Sequence, residues 1–96
     1  MTSREYRDFI LEQLSLTQGV TCRAMMGEYL IYLRGRLIGG IYDNRFLLKP
    51  TKAALKMLPE AEREVPYEGA KPMLLVDDVD SRPFLQKLME ALLEEQ

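Results

Sequence analysis

Val20-Thr21-Cys22-Arg23-Ala24-Met25-Met26, followed by Gly27 and then Glu28-Tyr29-Leu30-Ile31-Tyr32-Leu33, is the stretch from which the fold can be read. Its first half alternates, with Val20, Cys22, Ala24 and Met26 on one side, which is the period of a strand. Gly27 marks a bend or bulge, and Glu28–Leu33 is rich in the aromatic and branched residues that strands favour. Arg34-Gly35-Arg36 reads as a hairpin turn into Leu37–Tyr42. Asp43-Asn44, two residues that tolerate positive φ, turns the chain again into Arg45–Lys49. Four strand segments joined by short links make an antiparallel meander.

Helices flank it. Tyr6, Phe9, Ile10 and Leu14 recur at spacings of three and four, so a helix is expected from Ser3 to Leu16, ending near Gly19. Thr2 and Ser3 offer capping hydroxyls, and Thr2-x-x-Glu5 matches a capping box. After the meander, Pro50 ends the last strand and Thr51 caps a short helix, Lys52–Leu58. Residues 60–71 read as a polar connection, Met73–Val76 as a fifth strand, and Asp80 or Ser81 as the cap of a last helix with Pro83 in its first turn. Phe84, Leu85, Leu88, Met89 and Leu92 are its buried stripe. The expected order is α-β-β-β-β-α-β-α: an α+β, two-layer domain with an antiparallel sheet of about five strands and helices packed on one face.

Ninety-six residues, 47% of them apolar and 29% charged, make one globular domain spanning residues 1–96. The absence of histidine removes the commonest general base and imidazole metal ligand. One cysteine, Cys22, excludes an internal disulfide and a four-thiolate zinc site. The first residues show no apolar stretch behind a basic start, and the longest apolar run, Tyr29–Leu33, is far too short to span a bilayer. A cytoplasmic location without membrane association is expected, with the unpaired thiol fitting a reducing compartment. The net charge of −2 is unevenly spread: residues 19–56 carry a local +5 and residues 57–96 a local −6.

Candidate chemistry is sparse. Asp77-Asp78-Val79-Asp80 precedes a helix, where acids cap orphan N–H groups, and it lacks the length and distal Glu of a calcium loop. Gly39-Gly40 lies inside a strand, so a bulge or tight packing against a helix suits it better than a phosphate loop. Cys22 has no histidine to activate it and reads as a small buried hydrophobe, with Arg23 on the opposite sheet face. No serine sits in a nucleophile elbow, and Glu28 has no second carboxylate in its strand. The sequence therefore predicts neither an enzyme nor a cofactor or metal site. The basic region with interleaved tyrosines, Arg23, Tyr29, Tyr32, Arg34, Arg36, Tyr42, Arg45 and Lys49, suits a protein contact; the alternative is a nucleic-acid face, with tyrosines stacking bases and cations neutralising phosphates. A sequence pI of 5.2 weighs against that alternative.

The string from Val20 to Tyr32, followed by Gly35 and Leu47-Leu48-Lys49, resembles the TfoX N-terminal domain family. Arg23, Met25, Gly27, Tyr32 and Lys49 match the family's pattern; Met26 stands where an aromatic is usual, Glu28 replaces a second glycine, and Pro50 follows the lysine early. The resemblance implies a secretion-chaperone-like α+β scaffold and a link to bacterial competence-gene regulation. It also implies action through protein contacts, with homodimerisation, and assigns no catalytic residue. The expectation is thus a small bacterial regulatory or adaptor domain, homodimeric, binding a protein partner through Arg23, Met25, Gly27, Tyr29, Tyr32, Arg34, Arg36 and Lys49.

Overall fold

The structure, a computed structural model, describes residues 1–95. Three hairpins build most of its sheet from β1 (Val20–Met25), β2 (Glu28–Leu33), β3 (Arg36–Tyr42) and β4 (Arg45–Leu48). Each is closed by two residues at positive φ: Met26 and Gly27 (51° and 87°), Arg34 and Gly35 (50° and 85°), Asp43 and Asn44 (52° and 57°). That is the twisted two-residue loop that matches the right-handed twist of its strands, so the turn residues set the register of the whole meander.

The sheet has six strands in the order β1-β2-β3-β4-β6-β5, antiparallel at every pairing. The expected fifth strand is β6 (Met73–Leu75), and the additional one is β5 (Arg63–Glu64), inside the segment read as a structureless connection. Two residues of no apolar pattern become a strand because Arg63 and Glu64 pair with Leu74 and Met73 and because Glu64 is ion-paired with Arg45 of β4. The order is therefore α-β-β-β-β-α-β-β-α, still an α+β mixture.

Helices α1 (Arg4–Gln13), α2 (Lys52–Met57) and α3 (Arg82–Glu94) share one core with a single face of the sheet. Ile10, Leu14, Ala54, Leu85, Leu88, Met89 and Leu92 from the helices meet Ile31, Leu33, Ile41, Phe46, Leu48 and Leu74 from the strands. Ser81 is the cap of α3, its Oγ accepting from the Phe84 N–H, and Thr51 caps α2 through the Ala54 N–H. Ser3, not Thr2, caps α1. Thr2 is spent elsewhere: its hydroxyl meets Glu28 Oε1 at 2.8 Å and the Ile41 carbonyl at 3.2 Å, and accepts from the Asn44 N–H. Helix α1 also stops earlier than expected, because Ser15 and Thr17 bond three residues back, which tightens the last turn.

Candidate functional site

Alternation along the strands leaves a second sheet face without helices. Arg23 of β1 is paired with Leu30 of β2, Leu30 with Gly40 of β3, and Gly40 with Leu47 of β4; these residues share that face. A side chain on Gly40 would collide with the Tyr42 ring, 2.6 Å from its nearest carbon, so the glycine makes the space in which Tyr42 lies down. Gly39 permits a different thing, the close approach of β4: a Cβ there would sit 2.9 Å from Leu48 Cα and overlap the Leu47 carbonyl. The register slips beside it, between Ile31 and Tyr32, so a bulge adjoins the Gly39-Gly40 pair as its sequence suggests. The tight packing is against β4 and the Tyr42 ring and not against a helix, because Gly39 meets the β4 backbone and Gly40 lies on the face the helices leave open.

The segment after β5 folds over part of this face. Pro66 is buried, and the Tyr67 ring stands 6.2 Å from that of Tyr42 at a tilt of 51°. Burial pushes the Tyr42 phenol above its ordinary pKa, aided by the neighbouring Tyr67 hydroxyl, so it stays a neutral donor. Between this flap and the sheet runs a groove of about 510 Å³. Met25, Leu30, Leu37 and Tyr42 line it from the sheet side, and Tyr67 and Met73 from the other. Pro50, Pro66 and Pro72 complete its walls with backbone that offers no N–H. Among the described residues, its only charged lining residues are Lys49 and Lys71.

The eight residues expected to bind do not form one surface. Met25 and Lys49 line the groove. Arg23 and Tyr32 lie on the same face beside it, around a shallow depression with Thr21 and Gly35. Tyr29 faces the helices, with the Arg7 guanidinium 5.1 Å from its ring centre. Arg36 also faces them and is occupied, donating to the Leu92 carbonyl at the end of α3 and pairing with Glu95 at 3.6 Å. Arg34 and Gly27 serve the turns: the Arg34 N–H donates to the Gly19 carbonyl at 2.8 Å, and the Gly27 carbonyl accepts from the Thr2 N–H at 2.9 Å. The interleaving of tyrosine and arginine along the chain thus divides between two faces, because strand neighbours point in opposite directions.

Leu30, Leu37, Tyr67, Lys71 and Met73 are the lining residues that chain-order reasoning missed. A signal for them exists in β2, where Tyr29–Leu33 is apolar at every position. An antiparallel strand with only one buried face alternates; one that does not has something to cover on both sides.

Glu28, at the first hairpin, is a structural carboxylate. Burial opposes its charge, but the Asp43 N–H, the Thr2 hydroxyl and the Met1 ammonium at 3.3 Å outweigh burial and hold its pKa below the usual carboxylate range. Cys22 is half-buried, and burial raises its thiol despite the nearby Arg7 cation. No cluster of three or more potential metal ligands occurs among the described residues, and none of their helices is long and apolar enough to cross a membrane.

No family model matches the chain, and no solved structure matches it. A curated protein does: a Spirochaeta aurantia protein described as an uncharacterized 12.7 kDa protein in the trpE 5′ region is 36% identical over 89 residues, covering 92% of this chain and 77% of that one. At that identity over nearly the whole domain, the chain belongs to the same family as the Spirochaeta aurantia protein.

Proposed function

We propose that this is a small bacterial regulatory or adaptor domain that works by gripping a partner protein in the groove on its helix-free sheet face. The observation that carries the reading is the groove's lining: an apolar surface of Met25, Leu30, Leu37, Tyr42, Tyr67 and Met73 whose only charges, among the described residues, are the cations of Lys49 and Lys71. Its volume falls within the range of about 300–1,000 Å³ that accepts a ligand or a few side chains. The fitting occupant is an acidic segment of a partner polypeptide carrying bulky apolar side chains, which bury against the groove while its carboxylates meet the lysines. Met26 supports the same reading: it is 97% exposed and held at positive φ one residue beyond Met25, where an apolar side chain does nothing for folding. The resemblance to TfoX N-terminal domains points the same way, towards contact rather than catalysis and towards competence-gene regulation.

The nucleic-acid alternative has a weaker geometric basis, since Tyr29 and Arg36 face the helices and only part of the basic, tyrosine-bearing set, Arg23, Tyr32, Tyr42 and Lys49, shares the open face. An array of acidic peptides with paired apolar residues tests the proposal. Binding should appear, weaken with salt, and fall about 30-fold on Leu30→Glu with the fold retained. Absence of any binding peptide, or binding that Leu30→Glu leaves intact, overturns it. Affinity for single-stranded DNA or RNA with a steep salt slope instead would favour the alternative.

A further inference from the structure

The lining of the groove is one-sided in its hydrogen bonding. Its polar side chains are Tyr42, Tyr67, Lys49 and Lys71; ammonium groups only donate, and a neutral phenol donates readily. No carboxylate, amide or aliphatic hydroxyl stands among the described lining residues. Tyr42 is 6% exposed, yet its hydroxyl has no hydrogen-bond partner among the described residues and is not sealed from solvent. A buried donor of this kind needs an acceptor on whatever enters. Tyr67, 58% exposed, brings a second phenol beside it, the two rings tilted by 51°.

Such a lining discriminates among backbones. Strands β2, β3 and β6, which floor the groove, are each paired on both sides, and Met25, at the end of β1, is paired with Glu28. An entering strand therefore finds no ladder to join, and its N–H groups would be buried where the side chains offer few acceptors. An α-helix about 10 Å across fills about 420 Å³ per turn. A groove of about 510 Å³ seats little more than one such turn, short of the i to i+7 reach of helical recognition. A polyproline II segment is extended, needs no internal hydrogen bond and leaves its carbonyls open to donors. Where its residues are prolines, it has no N–H to leave unpaired. We infer that the partner segment is proline-rich and enters as polyproline II, its carbonyls accepting from the Tyr42 and Tyr67 hydroxyls and its pyrrolidine rings packing on the tilted phenol rings. Glutamate or aspartate beside the prolines meets Lys49 and Lys71. This rests on the groove being the site of an acidic partner segment, and adds the backbone that fits it.

Titration calorimetry compares an acidic Pro-x-x-Pro peptide, with leucine at the x positions, with its counterpart carrying alanine at every proline. The proline peptide should bind at least about tenfold more tightly, because its backbone is ordered before binding and buries no unmatched N–H. Tyr42→Phe and Tyr67→Phe keep the rings and lose the hydroxyls. Each, in protein with the wild-type circular dichroism spectrum, should weaken the proline peptide about three- to tenfold. An alanine peptide that binds as tightly, or wild-type affinity for the proline peptide in both variants, overturns the polyproline II occupant and leaves the partner-protein reading standing. Failure of both peptides while others of the acidic array bind does the same, whereas no binding by any peptide overturns the two together.

Discussion

Replacing Gly39 by Ala is the sharpest test of how the sheet is held together. The added Cβ would overlap the Leu47 carbonyl and lie 2.9 Å from Leu48 Cα, and both are backbone, so no side chain can swing aside. Relief requires β3 and β4 to part along a ladder of four residue pairs, loosening hydrogen bonds worth about 1 kcal/mol each in addition to overpacking of about 1–3 kcal/mol. The expected loss is about 3 kcal/mol or more, a fall in melting temperature of about 12–24 °C for a domain of this size. Gly35→Ala supplies the scale: it has nothing within 4 Å and a φ of +85°, so it pays only the left-handed penalty of about 1–2 kcal/mol. Thermal and urea unfolding followed by circular dichroism, with coincident transitions checked, would rank the two variants. A Gly39→Ala protein that melts at or above the Gly35→Ala protein refutes the claim that β4 rests directly on Gly39.

Two further outcomes follow from the polar contacts. Glu28→Gln keeps the acceptor for Thr2 and Asp43 but loses the charge. Because the folded carboxyl is held below its ordinary pKa, its stabilisation is complete above the unfolded value of about 4.3 and disappears as pH falls through the lower folded value. The gap in melting temperature between wild type and Glu28→Gln should therefore be constant near neutrality and close in acid; a gap independent of pH contradicts this. Arg36→Ala removes the contacts to Leu92 and Glu95 and should cost about 1.5–3 kcal/mol in urea unfolding, while peptide affinity in the groove changes by less than about twofold. Lost affinity in a folded Arg36→Ala protein would return Arg36 to the binding surface.

The local code of the chain was enough for most of its elements. Positive-φ residues at Arg34-Gly35 and Asp43-Asn44 and the glycine at 27 mark all three hairpins, and β2 begins and ends where its composition says. Thr51 caps the helix expected of it, and Ser81, one of two candidates beside Asp80, caps the last. These are short-range properties, set by sterics within a few residues, and they survive without knowledge of the rest of the chain. Three features needed the tertiary structure. Strand β5 exists only because β6 and Arg45 are beside it, and Thr2 left its expected capping role because Glu28 and Asn44, distant in sequence, were close enough to bond it. The groove is the third: Leu30, Leu37, Tyr67 and Met73 come from separate segments. Side-chain direction alternates along each strand, but which face the helices cover and which loop folds over the other is decided by packing between elements remote in the chain, and that divided the tyrosines and arginines of residues 23–49 between two surfaces.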